Sequence, residues 1–252
     1  MGNPVVHFEV IGEDGPKLQK FYSDLFGWDI QNIPDMKNYG VVDTHAGGGI
    51  NGGIGEPMEE GDHYVMFYIE VPDPQATLDK IEKAAGKTTH PVMEIPNIVT
   101  FAQFADPAGN RVGLVKEGEG PAPSPGNNPA VSWFEVLGPD ADALARFYKE
   151  QFGWDGERSE MGPAQPPAPA PVYIQVQMDA KRGIAGGIGS NPMGSAQTTV
   201  YAEVPDLQKC LDKAEKLGAK TMMPPMDVSE GTSIALFVDP QGNTFGIYKR
   251  TA

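Results

Sequence analysis

The chain carries one sequence pattern twice, and this repeat restricts its fold more than any other feature. FYSDLFGWD at Phe21–Asp29 recurs as FYKEQFGWD at Phe147–Asp155, a shift of 147 − 21 = 126 residues. EVPD at Glu70–Asp73 recurs at Glu203–Asp206, a shift of 203 − 70 = 133 residues. A repeat of this length indicates a duplicated structural unit, so we expect two similar modules in tandem.

Two irregular segments interrupt the pattern. The proline-rich stretch Gly162–Pro171 accounts for the growth of the shift and is typical of a surface loop. Glu117–Pro129 has no apolar periodicity and is typical of an exposed linker. The predicted boundaries are a first module at 1–117, a linker at 118–129 and a second module at 130–252.

Each module combines strand patterns with helix patterns. Val5–Ile11 alternates and is rich in β-branched residues, which predicts a strand. Apolar residues from Leu18 to Leu25 then recur at helical spacing, and Gly27 is placed to end that helix. The mixture of strands and helices predicts an α+β fold.

These motifs resemble the vicinal oxygen chelate superfamily, which includes glyoxalase I, extradiol dioxygenases and the fosfomycin and bleomycin resistance proteins. The resemblance rests on FY…FGW after the first strand, on EVPD at the second helix, and on DPxGN, at Asp106 and Asp239, before the last strand. It covers both repeats. It implies an α+β fold in which two tandem βαβββ modules pair into curved mixed sheets around a ligand cup.

The resemblance also implies where a divalent metal is commonly held: on the first strand, on the strand before the second helix, and on the last strand. The matching residues are His7, Met66 and Gly113 in the first repeat and Trp133, Thr199 and Gly246 in the second. Only His7 is a common metal ligand, and glycine replaces the last-strand glutamate in both repeats. We therefore expect the usual metal site to be missing.

Alternation along the strands predicts which side chains face the cup. We assign ligand binding to His7, Tyr68, Arg111, Trp133, Glu135, Tyr201, Glu203 and Tyr248. The indole of Trp133 offers a flat face to a planar ligand, and simple filling of the pocket is an equal alternative.

Glu9 and Glu70 are the candidate catalytic residues, because two carboxylates in one cup raise at least one pKa and suit proton transfer. With His7 they also form an alternative divalent-metal site, since imidazole and carboxylate are common ligands. The simpler interpretation bonds both glutamates to Tyr68, Arg111 or backbone amides. The sequence leaves these alternatives open, and no motif indicates a cofactor other than this metal.

Composition excludes several classes of function. The chain has 19 Lys and Arg against 34 Asp and Glu, and this net charge of −15 disfavours nucleic acids and anionic membranes as partners. The single cysteine, Cys210, excludes internal disulfides and multi-cysteine metal sites. Neither a membrane span nor a signal peptide is indicated. We expect a cytoplasmic protein, either a monomer with an internal pseudo-dimer or a homodimer, whose partner is a small molecule.

The predicted function is that of a glyoxalase-like or bleomycin-resistance-like protein that binds a small organic molecule without the usual metal. The alternative is a divalent-metal-dependent or carboxylate-assisted lyase, isomerase or oxygenase acting on a small metabolite. Whether the chain is an enzyme stays open, because one fold serves many chemistries.

Overall fold

Four helices and sixteen strands make up the part of the chain that the structure describes. This structure is a computed structural model, which describes residues 2–33, 36, 38–58, 61–96, 98–118, 122–160, 172–176, 183–191 and 194–251. The helices are α1 (Gly15–Phe26), α2 (Pro74–Lys83), α3 (Ala141–Phe152) and α4 (Leu207–Lys216). No helix in these ranges is both long and apolar enough to cross a membrane.

The strands fall into two equal sets, one in each repeat. Those of the first repeat are β1 (Val5–Ile11), β2 (Asp29–Asn32), β3 (Gly40–Asp43), β4 (Asn51–Gly55), β5 (Tyr64–Val71), β6 (Lys87–Ile95), β7 (Val99–Ala105) and β8 (Arg111–Lys116). Those of the second repeat are β9 (Val131–Gly138), β10 (Gly156–Glu160), β11 (Val172–Val176), β12 (Ala185–Ser190), β13 (Gln197–Glu203), β14 (Lys220–Ser229), β15 (Thr232–Val238) and β16 (Thr244–Arg250).

The α+β class and the βαβββ motif are confirmed, and each repeat contains the motif twice. In every motif the first strand pairs in parallel with the last strand, and the other pairs are antiparallel. The strand orders are β2-β3-β4-β1, β6-β7-β8-β5, β10-β11-β12-β9 and β14-β15-β16-β13.

The chain divides into two compact units that do not follow the boundary between the repeats. Unit 1 consists of 1–6, 67–120 and 133–198, and unit 2 consists of 7–66, 121–132 and 199–252. Each unit therefore contains most of one motif from the first repeat and most of one motif from the second.

The FY…FGW motif forms the aromatic core beside its helix. Gly27 follows α1 in the left-handed conformation, with φ of 77°, which glycine adopts without strain and which turns the chain back on the helix. The Trp28 ring then lies parallel to the ring of Tyr22, with centroids 6.0 Å apart. Tyr148 and Trp154 repeat the arrangement in unit 1 at 4.9 Å. The tryptophans of the motif are thus buried packing residues.

The DPxGN motif holds the tyrosine of the other repeat. The buried carboxylate of Asp106 accepts hydrogen bonds from the Asn110 amide nitrogen at 2.9 Å, from the Asn110 side chain at 2.8 Å and from the Tyr148 hydroxyl at 3.0 Å. In unit 2, Asp239 accepts from the Tyr22 hydroxyl at 3.1 Å. Two motifs that are far apart in sequence therefore join the two repeats within each unit.

The described end of the predicted linker is hydrogen-bonded to the first repeat in unit 2. The backbone amide of Ser124 donates to Asp43 at 3.0 Å, and the amide of Gly47 donates to the Ser124 carbonyl at 3.0 Å. The Trp28 indole donates to the Pro129 carbonyl at 2.9 Å. The segment is thus partly exposed but docked. The predicted loop at 162–171 lies outside the described residues.

Candidate functional site

A carboxylate–tyrosine pair joins the first strand of the first repeat to the residue before β3. Glu9, on β1, is only 5% exposed and accepts a hydrogen bond from the Tyr39 hydroxyl at 2.9 Å, with Tyr64 at 3.5 Å from its other oxygen. Glycine makes room for this pair, because a Cβ at Gly53 would lie 1.9 Å from the Tyr39 hydroxyl. The repeated GGIG sequence thus has a steric cause.

The second repeat builds the same pair at the equivalent positions. Glu135 (9 + 126) accepts from the Tyr173 (39 + 134) hydroxyl at 2.9 Å. The Trp133 indole donates to that hydroxyl at 3.2 Å, so Trp133 and Glu135 lie on one face of β9. Burial, and next the Glu135 charge, raise the pKa of Tyr173 far above its usual range. The tyrosine therefore stays protonated and donates to the carboxylate.

A third glutamate belongs to a chain of three hydrogen-bonded groups in unit 2. Glu203 accepts from the Tyr248 hydroxyl at 3.0 Å, and that oxygen lies 2.7 Å from the Ser132 hydroxyl. Burial is the main cause that raises the Tyr248 pKa. The Arg250 guanidinium lies over the Tyr248 ring, 5.3 Å from its centroid. Glu203 is thus another fixed hydrogen-bond acceptor.

Glu70 accepts a hydrogen bond from a backbone amide. A bond of this kind was one of the alternatives that the sequence left open. The Gly118 amide donates to its carboxylate at 3.3 Å, and the residue is 5% exposed. Arg111, the predicted cationic cup residue, begins β8 opposite Ala105. Glu70 and Arg111 belong to unit 1, whereas Glu9 belongs to unit 2.

Tyrosine rings lie where the last-strand metal ligand of the superfamily is expected. Tyr68 stands directly opposite Gly113 in the parallel β5–β8 pair, and Tyr201 stands opposite Gly246 in β13–β16. A Cβ on either glycine would lie 2.2 Å from the facing ring. The Gln103 amide donates to the Tyr68 hydroxyl at 3.3 Å and helps to hold that ring. A glutamate at either glycine does not fit this arrangement.

Among the residues at the usual metal positions, His7 is the one whose side chain commonly binds a metal ion. Desolvation lowers the pKa of His7 from 6.5 to about 4, so its imidazole is neutral at neutral pH. Among the described residues, however, no three or more His, Cys, Asp or Glu side chains form a group able to hold a metal ion. The alternative metal site of His7, Glu9 and Glu70 gains no support from this geometry.

Sequence reasoning missed Tyr39 and Tyr173, which donate to Glu9 and Glu135, and Ser132, which is hydrogen-bonded to the Tyr248 hydroxyl. Alternation assigns a face to each strand residue but does not pair residues on separate strands. One signal was available, because Tyr39 and Tyr173 occupy equivalent positions in the two repeats. Cys210 is half-buried, and burial raises the pKa of its thiol to about 11, which disfavours a nucleophilic role.

Comparisons with known proteins agree with this architecture. Residues 5–114 match the family model described as Glyoxalase/Bleomycin resistance protein/Dioxygenase superfamily, and residues 134–248 match the Glyoxalase-like domain. A protein of Mycobacterium tuberculosis called putative glyoxylase CFP32 is 26% identical over 244 residues, covering 94% of this chain and 90% of that protein.

Two further relatives extend the comparison. The anthracycline biosynthesis protein DnrV of Streptomyces peucetius is 29% identical over 129 residues, covering 48% of this chain and 47% of that protein. The Mn(II)-bound glyoxalase of Novosphingobium aromaticivorans has the same fold, with a TM-score of 0.65 at 14% identity over 98% of this chain and 82% of that one. With matches in both repeats, the chain belongs to the glyoxalase, bleomycin resistance protein and dioxygenase superfamily.

Proposed function

We propose that the protein binds a small organic molecule in a cup lined by a carboxylate–tyrosine pair within one unit, without the metal site that is usual in its superfamily. The observation that carries this proposal is the pair of tyrosine rings at Gly113 and Gly246. Each ring takes the space that the side chain of a last-strand glutamate needs, and both tyrosines are buried.

The pairs suit recognition by hydrogen bonding. Glu9, Glu135 and Glu203 each accept from a tyrosine hydroxyl. This bond fixes the carboxylate in one orientation, and such a preorganised acceptor binds hydroxyl or amine groups of a ligand at a lower entropic cost. These carboxylates therefore favour a ligand that carries hydrogen-bond donors.

Trp133 favours a ligand that also contains a planar ring. Its indole nitrogen is bonded to Tyr173, which holds the ring plane in place beside Glu135. A fixed aromatic face stacks well on a flat ligand. Because one relative is named as an anthracycline biosynthesis protein, an anthracycline, which is planar and rich in hydroxyl groups, is a suitable first probe.

Tryptophan fluorescence during a titration with an anthracycline tests this proposal. The chain has three tryptophans, and Trp133 is the one that is hydrogen-bonded to Tyr173 beside Glu135, so we expect saturable quenching to come from Trp133. The Trp133→Phe variant should keep its far-UV circular dichroism spectrum and lose the quenching. Equilibrium dialysis of the same variant measures binding independently. Equal quenching in Trp133→Phe, or no saturable binding to the unaltered protein, would contradict the proposal.

A further inference from the structure

A cleft of about 310 Å³ lies in unit 1 between α3 and the strands β10, β11 and β12. Its floor is apolar and consists of Trp154, Ile174 and Ile188, which are all buried. Its volume is at the lower end of the range of small-molecule sites, roughly 300–1,000 Å³. None of the residues that line the cleft belongs to a carboxylate–tyrosine pair.

The first repeat fills the equivalent space with a side chain. Gln19 on α1 is 8% exposed, and its amide donates to the carbonyls of Asn38 at 3.1 Å and Ile54 at 3.0 Å. The equivalent residues of the second repeat are Ala145 (19 + 126) and Ile188 (54 + 134), and both line the cleft. Alanine does not reach across this space, so one difference between the repeats opens the cleft.

The rim of the cleft is cationic in a strongly acidic chain. Lys149 pairs with Asp155 and Arg158 pairs with Asp142, each at 3.1 Å. Arg146 is exposed and forms no ion pair with any residue that the structure describes. The lining charges sum to 3 − 2 = +1, against −15 for the whole chain.

The first repeat lacks this set of charges. Its residues equivalent to Arg146, Lys149 and Arg158 are Lys20, Ser23 and Asn32, each 126 residues earlier. Lys20 already pairs with Asp24 at 2.8 Å. The open volume and the uncommitted cation therefore occur together in the second repeat.

We propose that this cleft binds a small organic anion, a carboxylate or sulfonate with an apolar body. The apolar body packs on Trp154 and Ile188, and the anionic group pairs with the Arg146 guanidinium, whose fork of N–H donors matches such oxygens. The site is separate from the proposed cup and does not depend on it.

A titration with anilinonaphthalene sulfonate, which combines an anion with apolar rings, tests the cleft. We expect saturable binding at one site, seen as an increase in probe fluorescence. Ala145→Gln, which places the residue of the first repeat into the second, should weaken binding by at least about tenfold by filling the cleft. Arg146→Gln leaves the volume open and should weaken binding by about tenfold through loss of one charged hydrogen-bonding partner.

Gln19→Ala is the matched control, because it removes the same side chain where the cationic rim is missing. It should leave the affinity and the stoichiometry of the probe unchanged. Circular dichroism checks that every variant is folded. Binding that is unaffected by Ala145→Gln, a second equal site in Gln19→Ala, or no saturable binding to the unaltered protein would each overturn the proposal.

Discussion

Gly113 and Gly246 show how single residues determine the chemistry of the strands around them. Each glycine gives its side-chain space to the ring of the tyrosine on the neighbouring strand, at the position where the superfamily commonly places a metal ligand. The sequence predicted the loss of the ligand from the glycine alone. It did not predict the tyrosine, because the facing partner depends on the register between β5 and β8.

Gly113→Ala is expected to destabilise the protein by about 1–3 kcal/mol, because the added Cβ overlaps the Tyr68 ring and the packed strands must shift. Urea unfolding at pH 7 measures the change. Gly48→Ala is the control, because a Cβ there has no atom within 4 Å. Equal stabilities of the two variants would contradict the close packing of Tyr68 on Gly113.

His7 gives the stability a dependence on pH. Its pKa is about 4 in the folded protein against an ordinary 6.5. Between these pH values, His7 binds a proton in the unfolded chain but not in the folded chain. The contribution of His7 is complete above pH 6.5 and is lost as the pH falls towards 4, by at most about 3 kcal/mol. His7→Gln should therefore flatten the fall of melting temperature with acid relative to the unaltered protein. A curve of unchanged steepness in His7→Gln would contradict this assignment.

At the scale of elements, periodicity located the first strand and the helix that follows it, but it missed edge strands. Val5–Ile11 has the predicted bounds, and the helix expected over Leu18–Leu25 and ended by Gly27 is Gly15–Phe26. The strands β6 and β14 were not predicted, and both contain prolines, Pro91 in β6 and Pro224 and Pro225 in β14. Proline is tolerated in an edge strand, because one side of that strand is unpaired. Both β6 and β14 are edge strands. Because these two strands were not predicted, the second βαβββ motif of each repeat was not recognised from the sequence.

The candidate site was predictable in part for a related reason. Alternation along single strands predicts that the glutamates face inward, whereas their tyrosine partners come from β11, from β16 and from the residue before β3. Pairings of this kind depend on three-dimensional register, which one sequence does not contain. The functional roles of these residues stay predictions.

The contact between the DPxGN turn and the helix tyrosine is the element-scale link between the repeats. Tyr148→Phe removes one donor from the buried Asp106 carboxylate, and we expect a loss of about 1–3 kcal/mol in the free energy of unfolding. Tyr22→Phe should cost a similar amount through Asp239. Chemical denaturation of both variants measures these losses. A loss below about 0.5 kcal/mol in both variants would show that the link adds little.

At the scale of the whole molecule, the repeats are not the compact units. Each unit combines a motif from each repeat, and the Tyr22–Asp239 and Tyr148–Asp106 bonds join the repeats inside the units. Cleavage between the repeats should therefore leave both units intact.

A protease site inserted after the exposed Ala122 tests this expectation. We expect the two cut fragments to elute together in size-exclusion chromatography and to separate only in denaturant. The uncut insertion variant is the control. Fragments that separate without denaturant and keep native circular dichroism spectra would contradict the arrangement.

Elemental analysis tests most directly whether the protein lacks the metal that is usual in its superfamily. The protein is purified without chelators, incubated with an excess of Mn, Ni, Zn or Fe ions, and freed of unbound metal by gel filtration. We predict far less than one bound metal ion per chain, with no change in His7→Ala or Glu9→Gln. One metal ion per chain, lost in both variants, would contradict the account.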